Sequence, residues 1–405
     1  MDKTNNQNIK DKVGKRIVVI GGGAAGFFAA FAAAEKGRPV TIIEKNERVL
    51  RKLLATGNGR CNFTNINGAD ISRYHGQDAS FAKTALEAFP PGSIIDYFRK
   101  IGIPSVTEDE GKVFPMSRQA ASVVDMFRLY AQSLGIEILT GSAVGLIKRS
   151  RSGFTLDLAK RQINADRVII ATGGMAAPDL GGSPAGLDLL KSLSHTIISP
   201  NPALCALKAE KADISGLSGA KTVSFVTAYS GARRVASAKG ELLFTDYGVS
   251  GSVVFSLSHI KPYHNDIKLS CDLMPDIPKA ELARLLEDRA GLSHIPAASL
   301  LLGILPKAIA QKIMSGAKGK AAEDIASMIK SYQVRIKGAM GFRAAQAMAG
   351  GVSTDEFDPQ TMESRLMQGL FVCGEALDIV GECGGYNLTW AFASGRAAGL
   401  YSAKS

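Results

Sequence analysis

Three glycines and one acid carry the first chemical signal in this 405-residue chain. Gly21, Gly23 and Gly26 follow the apolar run Ile17–Ile20 at G-x-G-x-x-G spacing, and Glu44 closes a second apolar run that begins at Pro39. The first glycine permits a tight turn out of a strand, and the second lets the backbone approach a pyrophosphate. The third lets the following helix, with Ala24 and Ala25 in its first turn, pack close to the sheet. A helix beginning there presents open N–H groups and partial positive charge to phosphates. Glu44 stands about where a ribose-binding carboxylate belongs, roughly 20 residues on. The pattern reads as a dinucleotide-binding unit rather than a plain buried strand, turn and helix. Lys45 opens a basic tract, 45–60, suited to an anionic cofactor.

A second group lies near the C-terminus. An apolar run ending at Cys373 delivers Gly374 and Glu375, and the turn Gly384-Gly385 leads through Tyr386, Asn387 and Leu388 into a helix. This arrangement suits a flavin. A carboxylate can accept hydrogen bonds from the ribityl chain, and a helix N-terminus can face the pyrimidine edge, where negative charge gathers on reduction. A third piece, Val168–Gly174, is a buried strand running into a turn that contains Ala171, Thr172 and Gly173. The cofactor expected from the three together is FAD. Gly21, Gly23, Gly26 and Glu44 are expected at the ADP half, and Glu375 at the ribityl chain. The N–H groups of 386–388 are expected at the N1–C2 edge of the flavin.

The signature loop Lys52–Asn65 holds Gly59, Arg60, Cys61 and Asn62. These segments are similar to those of two-dinucleotide-binding-domain flavoproteins. More narrowly, the chain resembles the HI0933-like, aminoacetone-oxidase-like family of NAD(P)/FAD-dependent flavoproteins, typified by a Haemophilus protein. The resemblance rests on G-x-G-R-C-N-x-T-N at 57–65, 243–251, 349–353, 361–364 and G-G-Y-N-L at 384–388, and spans about residues 16–400. It implies an FAD-dependent oxidoreductase, with one relative proposed to act on bile-acid intermediates, and it implies that Val144 offers backbone atoms to the adenine. Asp246 stands where many relatives have His, Ser252 where they have Pro, and the loop 178–186 departs from the usual pattern. The substrate therefore does not carry over.

Individual side chains admit two readings each. Cys61 could exchange electrons with a flavin, but it lacks the paired cysteine of such chemistry, which favours a backbone-shaping role. Lys52 and Arg60 could neutralise the diphosphate or stand near the flavin. Tyr386 could bond flavin or substrate, or pack the turn. Cys383 suits a position near the flavin or a small filler, and the sole tryptophan, Trp390, suits a core. Asp246 and Tyr247 are the acid–base candidates of the central region. Five histidines show no metal-ligand spacing, so no metal is expected.

The elements that must position these residues imply an α/β fold: a Rossmann-like FAD-binding domain, split in sequence, with an inserted β-barrel-like domain and a small helical subdomain. The expected boundaries are a disordered leader at 1–15, the FAD domain at 16–199 and 353–405, the barrel at 200–277 and 335–352, and the helical subdomain at 278–334. Helices are expected at 81–88, 92–100, 122–134, 280–290, 297–304, 307–314 and 321–330. Strands are expected at 137–140, 143–149, 154–158, 162–171, 222–229, 233–238, 241–244 and 267–273. A return strand is expected at 354–361. A chain of this length exceeds a single core.

The formal charge is +11, with basic residues scattered rather than interleaved with aromatics. No apolar run approaches a bilayer span, and the polar N-terminus does not read as a secretory signal. Five cysteines fit no disulfide framework, so a cytoplasmic protein is expected. No second strand–G-x-G-x-x-G–helix unit is present, so NAD(P)H could serve only as a transient reductant docking without a domain of its own. The sequence favours a small-molecule oxidoreductase acting by hydride transfer through the flavin. An FAD-dependent tRNA-modifying enzyme and a non-catalytic flavin-binding protein are the rivals. Oligomeric state stays open.

Overall fold

The computed structural model describes residues 15–150, 153–264 and 266–404, without the side chains of 261–263. All of the expected leader but Lys15 lies outside the described residues. The chain forms two compact units, one of residues up to 200 with 347 onward, the other of residues 201–346.

The first unit is organised by a parallel five-stranded sheet. Its elements, in chain order, are β1 (Ile17–Ile20), α1 (Ala24–Ala34), β2 (Val40–Ile43), α2 (Ala120–Ser133), β3 (Glu137–Leu139), β4 (Arg167–Ile170), β5 (Leu370–Val372) and α3 (Tyr386–Ser402). The strand order is β5-β4-β1-β2-β3. Every residue of β1 and β2 is buried, as expected of strands covered on both faces. An aromatic cluster fills the space behind the sheet. Phe28 lies 4.3 Å from Phe392 between ring centroids, and Phe63 stacks on Phe98 at 4.0 Å.

Helices α1 and α3 pack backbone to backbone. A Cβ built on Gly395 would fall 2.4 Å from the Ala25 carbonyl oxygen, and one on Gly399 2.2 Å from that of Ala29. Small residues at those positions are therefore required for the approach. An antiparallel three-stranded meander, Val144–Ser150, Gly153–Leu158 and Arg161–Ala165, attaches to this unit. The expected strand 162–171 is in fact two, because Asp166 breaks the run: its carboxylate accepts the Arg16 N–H at 2.7 Å.

In the second unit, a closed six-stranded barrel runs in the order Leu207–Ala209, Gly248–Ser250, Arg233–Phe244, Lys221–Ser230, Ile267–Asp272, Tyr332–Ala339. Alternate residues such as Val226, Ala228, Leu242, Leu269 and Val334 fill its interior. Leu282, Leu286, Ile309, Ile313, Ile325 and Ile329 of the helical stretch belong to the same apolar cluster. The helices and the barrel thus share one core.

Three further expectations need correction. The runs 233–238 and 241–244 are one strand, since pairing with 221–230 continues through Lys239, Gly240 and Glu241. The expected helix 297–304 shrinks to the single turn Ala297–Ser299, stopped before Gly303, whose φ is +81°. The return strand is Ala347–Val352, beside Ile197–Ala203, not 354–361. There Asp358 accepts the N–H groups of Gln360 and Thr361, which turns the chain.

Candidate functional site

The loop from β1 into α1 has the shape of an anion cradle. Gly21 has φ +111°, and a Cβ on Gly26 would fall 2.0 Å from the Gly21 carbonyl oxygen, so the turn and helix meet only through glycine. At Gly23 the opposite holds: nothing lies within 4 Å of its Cβ direction, and no side chain caps α1 there. Room and open N–H groups coincide at one place, with Ala24 and Ala25 forming the first turn.

Glu44 is 8% exposed and held on both oxygens. Oε2 accepts the Gly22 N–H at 2.8 Å, while Oε1 accepts the Asn46 N–H at 2.8 Å and its Nδ2 at 2.5 Å. Lys45 beside it is exposed. The turn before Val144 folds onto this corner, with Ser142 N–H donating to the Glu44 carbonyl and Gly141 N–H to that of Asn46. Asn46 is a contributor that sequence reasoning missed. Its position two residues after the acid is the one available signal.

Glu375 is reached from three parts of the chain. Lys52 Nζ lies 2.7 Å and Gly174 N 3.0 Å from Oε2, and Met348 N lies 2.8 Å from Oε1. Oε1, with one donor against two on Oε2, keeps capacity for a further donor. Lys52 is thus held at the carboxylate that follows β5. Ala171 lines Gly21 and Gly26, and a Cβ on Gly173 would fall 3.4 Å from Glu375 Oε2. Gly374 has φ +71°, and its N–H donates to Ser394 Oγ.

At the start of α3, Gly384 and Gly385 have φ +117° and +105°, and no side chain caps the helix. A Cβ on Gly385 would fall 2.6 Å from the Thr64 backbone, so the signature loop abuts this turn. Asn65 Nδ2 donates to the carbonyls of Glu110 and Gly384, and Thr64 Oγ1 bonds Thr389 Oγ1 at 2.7 Å. Asn387 closes the turn by bonding both backbone groups of Gly381. Leu388 lies half-buried on the first turn of the helix.

Tyr386 is 5% exposed, and burial raises its hydroxyl above the usual range. Arg73 bonds Glu382 at 2.8 Å, and His75 stands 3.6 Å from the other oxygen. Burial pushes the Glu382 carboxyl up, but the bonds from His75 and Arg73 prevail and hold it below its ordinary value.

Several candidates have partners of their own within the fold. Arg60, next to Gly59, bonds Glu108 at 2.5 Å and lies 4.2 Å over the Phe114 ring, so its partners belong to the hairpin around 105–115. Asn62 Oδ1 accepts the Val113 N–H of that hairpin. Cys61 is fully buried at φ +60°, with its thiol pushed up to about 12 by burial. A thiol so placed is a poor thiolate nucleophile, in keeping with the backbone-shaping reading. Trp390 is buried and donates Nε1–H to the Gly374 carbonyl at 3.1 Å. In the second unit, Asp246 and Tyr247 stand exposed in the turn after 233–244, which Thr245 closes through Gly248.

These features fit a dinucleotide whose diphosphate meets α1 and whose far end meets a second helix N-terminus. Fold and site define an FAD-dependent oxidoreductase of the Rossmann class. The chain belongs to the family described as HI0933-like protein Rossmann domain, which matches residues 15–401. It is 37% identical to the 3-dehydro-bile acid delta(4,6)-reductase of Clostridium scindens, over 96% of this chain and 99% of that one. It is 30% identical to the ribosomal RNA dihydrouridine synthase of Escherichia coli, over 96% and 98%. A solved 3-ketosteroid delta1-dehydrogenase from Sterolibacterium denitrificans shares the fold at TM-score 0.51, with 11% identity, over 97% of this chain and all of that one. Among the described residues, no helix is long and apolar enough to cross a membrane.

Proposed function

We propose that this flavoenzyme reduces a ring carbon–carbon double bond conjugated with a carbonyl, the ring belonging to a small molecule of steroid size. The observation that carries this reading is the full-length kinship to a reductase named for a 3-dehydro-bile acid. FAD, once bound and reduced, would supply the hydride.

The chain's own residues bind, orient and balance charge. Gly21, Gly23, Ala24, Ala25 and Gly26 take the diphosphate, and Glu44 with the backbone near Lys45 and Val144 takes the adenosine. Glu375, steadied by Lys52 and by the turn 171–174, takes the ribityl hydroxyls. The open N–H groups of 386–388 face the pyrimidine edge and stabilise the negative charge that accompanies reduction. Gly59–Asn62 shape the loop against that end. In this reading NAD(P)H delivers the reducing equivalents transiently. The five cysteines, all free, suit the reducing cytoplasm.

The test is anaerobic mixing of the yellow protein with NADH or NADPH, then with a cyclic 3-oxo-4,6-diene. Bleaching of the flavin followed by recovery on adding the diene is expected, while the saturated ketone leaves it bleached. Reduced flavin that no conjugated ring reoxidises overturns the reading. A second reading, the same addition to a pyrimidine ring carried on RNA, is supported by the full-length kinship to a ribosomal RNA dihydrouridine synthase.

A further inference from the structure

The second unit carries an unusual share of the positive charge: nineteen lysines and arginines against twelve acids in residues 201–346, more than half of the chain's net +11. Register shows where part of it lies. On strand Lys221–Ser230, Ser224, Val226 and Ala228 point into the barrel, so Val223, Phe225, Thr227 and Tyr229 point out. Residues paired across a ladder share a face.

Tyr229 pairs with Arg234 on one side and Lys268 on the other, and Lys268 pairs in turn with Arg335. The outer wall therefore carries a row Arg234, Tyr229, Lys268, Arg335 across four adjacent strands. The next row outward-facing along the strand is polar: Ser237, Thr227, Ser270 and Gln333. The third places Phe225, 38% exposed, between Lys239 and Asp272.

Charges on this wall divide into paired and open. Arg335 is held by Asp213, Lys239 by Asp276, and Asp272 by Lys330. Arg234 and Lys268 make no ion pair among the described residues, and neither does Arg233, which lies at the hairpin end on the alternate face, opposite Ser230; Arg234 bonds only Ser237 Oγ there. His264 sits near Arg233, and burial, then that arginine, lowers its basicity, so it adds little charge at neutral pH. One open acid, Asp266, adjoins the set, which remains net positive.

We infer that this barrel wall binds single-stranded RNA. Cations at the hairpin end meet phosphates, Tyr229 and Phe225 offer two rings for base stacking, and the polar row between them can bond base edges or ribose hydroxyls. A sheet that merely tolerated charge would not need two aromatics on its outer face, Phe225 exposed and Tyr229 half-buried, and a phosphate-only patch would not use them. The inference deepens the second reading above and rests on it for the choice of RNA among polyanions.

The test is fluorescence anisotropy of the FAD-loaded, full-length enzyme with a short uridine-rich RNA strand, over a series of salt concentrations. Duplex DNA and heparin serve as comparison polyanions. Replacing Arg233, Arg234 and Lys268 together by Gln is expected to flatten the slope of log K against log salt by about two. Phe225→Ala with Tyr229→Ala is expected to weaken RNA binding by roughly tenfold with the slope unchanged. Flavin content and melting temperature report that each variant folds, and Tyr229→Phe should bind as the parent does.

Absence of RNA binding at low salt, or variants that bind like the parent, overturns the inference. Equal affinity for heparin with no effect of the aromatic variants also overturns it, leaving general attraction to polyanions. Flavin reoxidation by a free conjugated ring is read separately on the parent enzyme. Its failure would count against the reductase reading and not against the RNA surface.

Discussion

The ammonium of Lys52 lies 2.7 Å from the carboxylate of Glu375, a partner 323 residues away in the chain. The same carboxylate receives the N–H groups of Gly174 and Met348, so one side chain ties together the signature loop, the turn after β4, the strand at 347–352 and the turn after β5. Glu375→Ala removes the shared acceptor and is expected to weaken FAD binding by more than tenfold. It also costs roughly 1–3 kcal/mol of stability for the N–H groups left without their acceptor. Lys52→Met leaves those two bonds in place and is expected to keep the fold while changing flavin affinity severalfold. Flavin titration of deflavinated protein, alongside thermal melts, separates the two. Equal losses of stability in both variants would sink the assignment.

The glycine loop offers a sharper contrast. Gly23→Ala puts its methyl group into open space at φ −91°, an ordinary conformation for alanine. The melting temperature of the deflavinated variant should stay within a few degrees of the parent, whereas FAD retention through gel filtration should fall. Gly26→Ala drives a methyl group into the Gly21 carbonyl oxygen and is expected to abolish soluble expression or to lower stability by several kcal/mol. Full flavin occupancy in the Gly23 variant would remove the diphosphate from this loop.

Of the five cysteines, four are buried and Cys383 is exposed. Burial raises the Cys61, Cys205 and Cys271 thiols to about 12, 11 and 12. One thiol per chain should therefore react promptly with an aromatic disulfide under native conditions at pH 8, and five in denaturant. Cys383→Ser should abolish the prompt phase. Although the residue is exposed, partial desolvation of its sulfur raises that thiol, so the phase should speed up as pH increases. A second prompt thiol that vanishes in Cys61→Ser would restore a redox role for Cys61.

The cofactor end of the fold was legible because its signals are local. A strand, three glycines and an acid lie within about thirty residues, and each has its own steric reason. The partners of those residues were not legible. Met348 and Lys52 meet Glu375 only after the chain has passed through a separate unit, and no periodicity encodes that meeting. The partners of Arg60 were hidden for a related reason. A basic residue in a cofactor signature invites a phosphate, and nothing local announces Glu108 and Phe114, about fifty residues on, which it bonds and covers. The barrel wall was overlooked because its basic and aromatic residues interleave across strands. Along the sequence Tyr229 and Lys268 are far apart, and only the ladder register places them side by side.

Glu35, at the end of α1, gathers Tyr130 at 2.7 Å, Lys100 at 3.0 Å and Tyr97 at 3.2 Å. Burial alone would raise its carboxyl, but the bonds from Tyr130, Lys100 and Tyr97 outweigh it and hold the group below its ordinary 4.5. A folded-state value below the unfolded one stabilises the protein fully above the unfolded value, and that contribution disappears as pH falls through the folded one. Glu35→Gln should therefore lower stability at pH 7 by about 1 kcal/mol, the scale of a partly screened network. The gap between parent and variant in urea melts should hold from pH 7 down to about 5 and shrink below 4.5. A gap that stays constant to pH 3 would show that shape, not charge, is what Glu35 contributes where α1 meets the aromatic cluster.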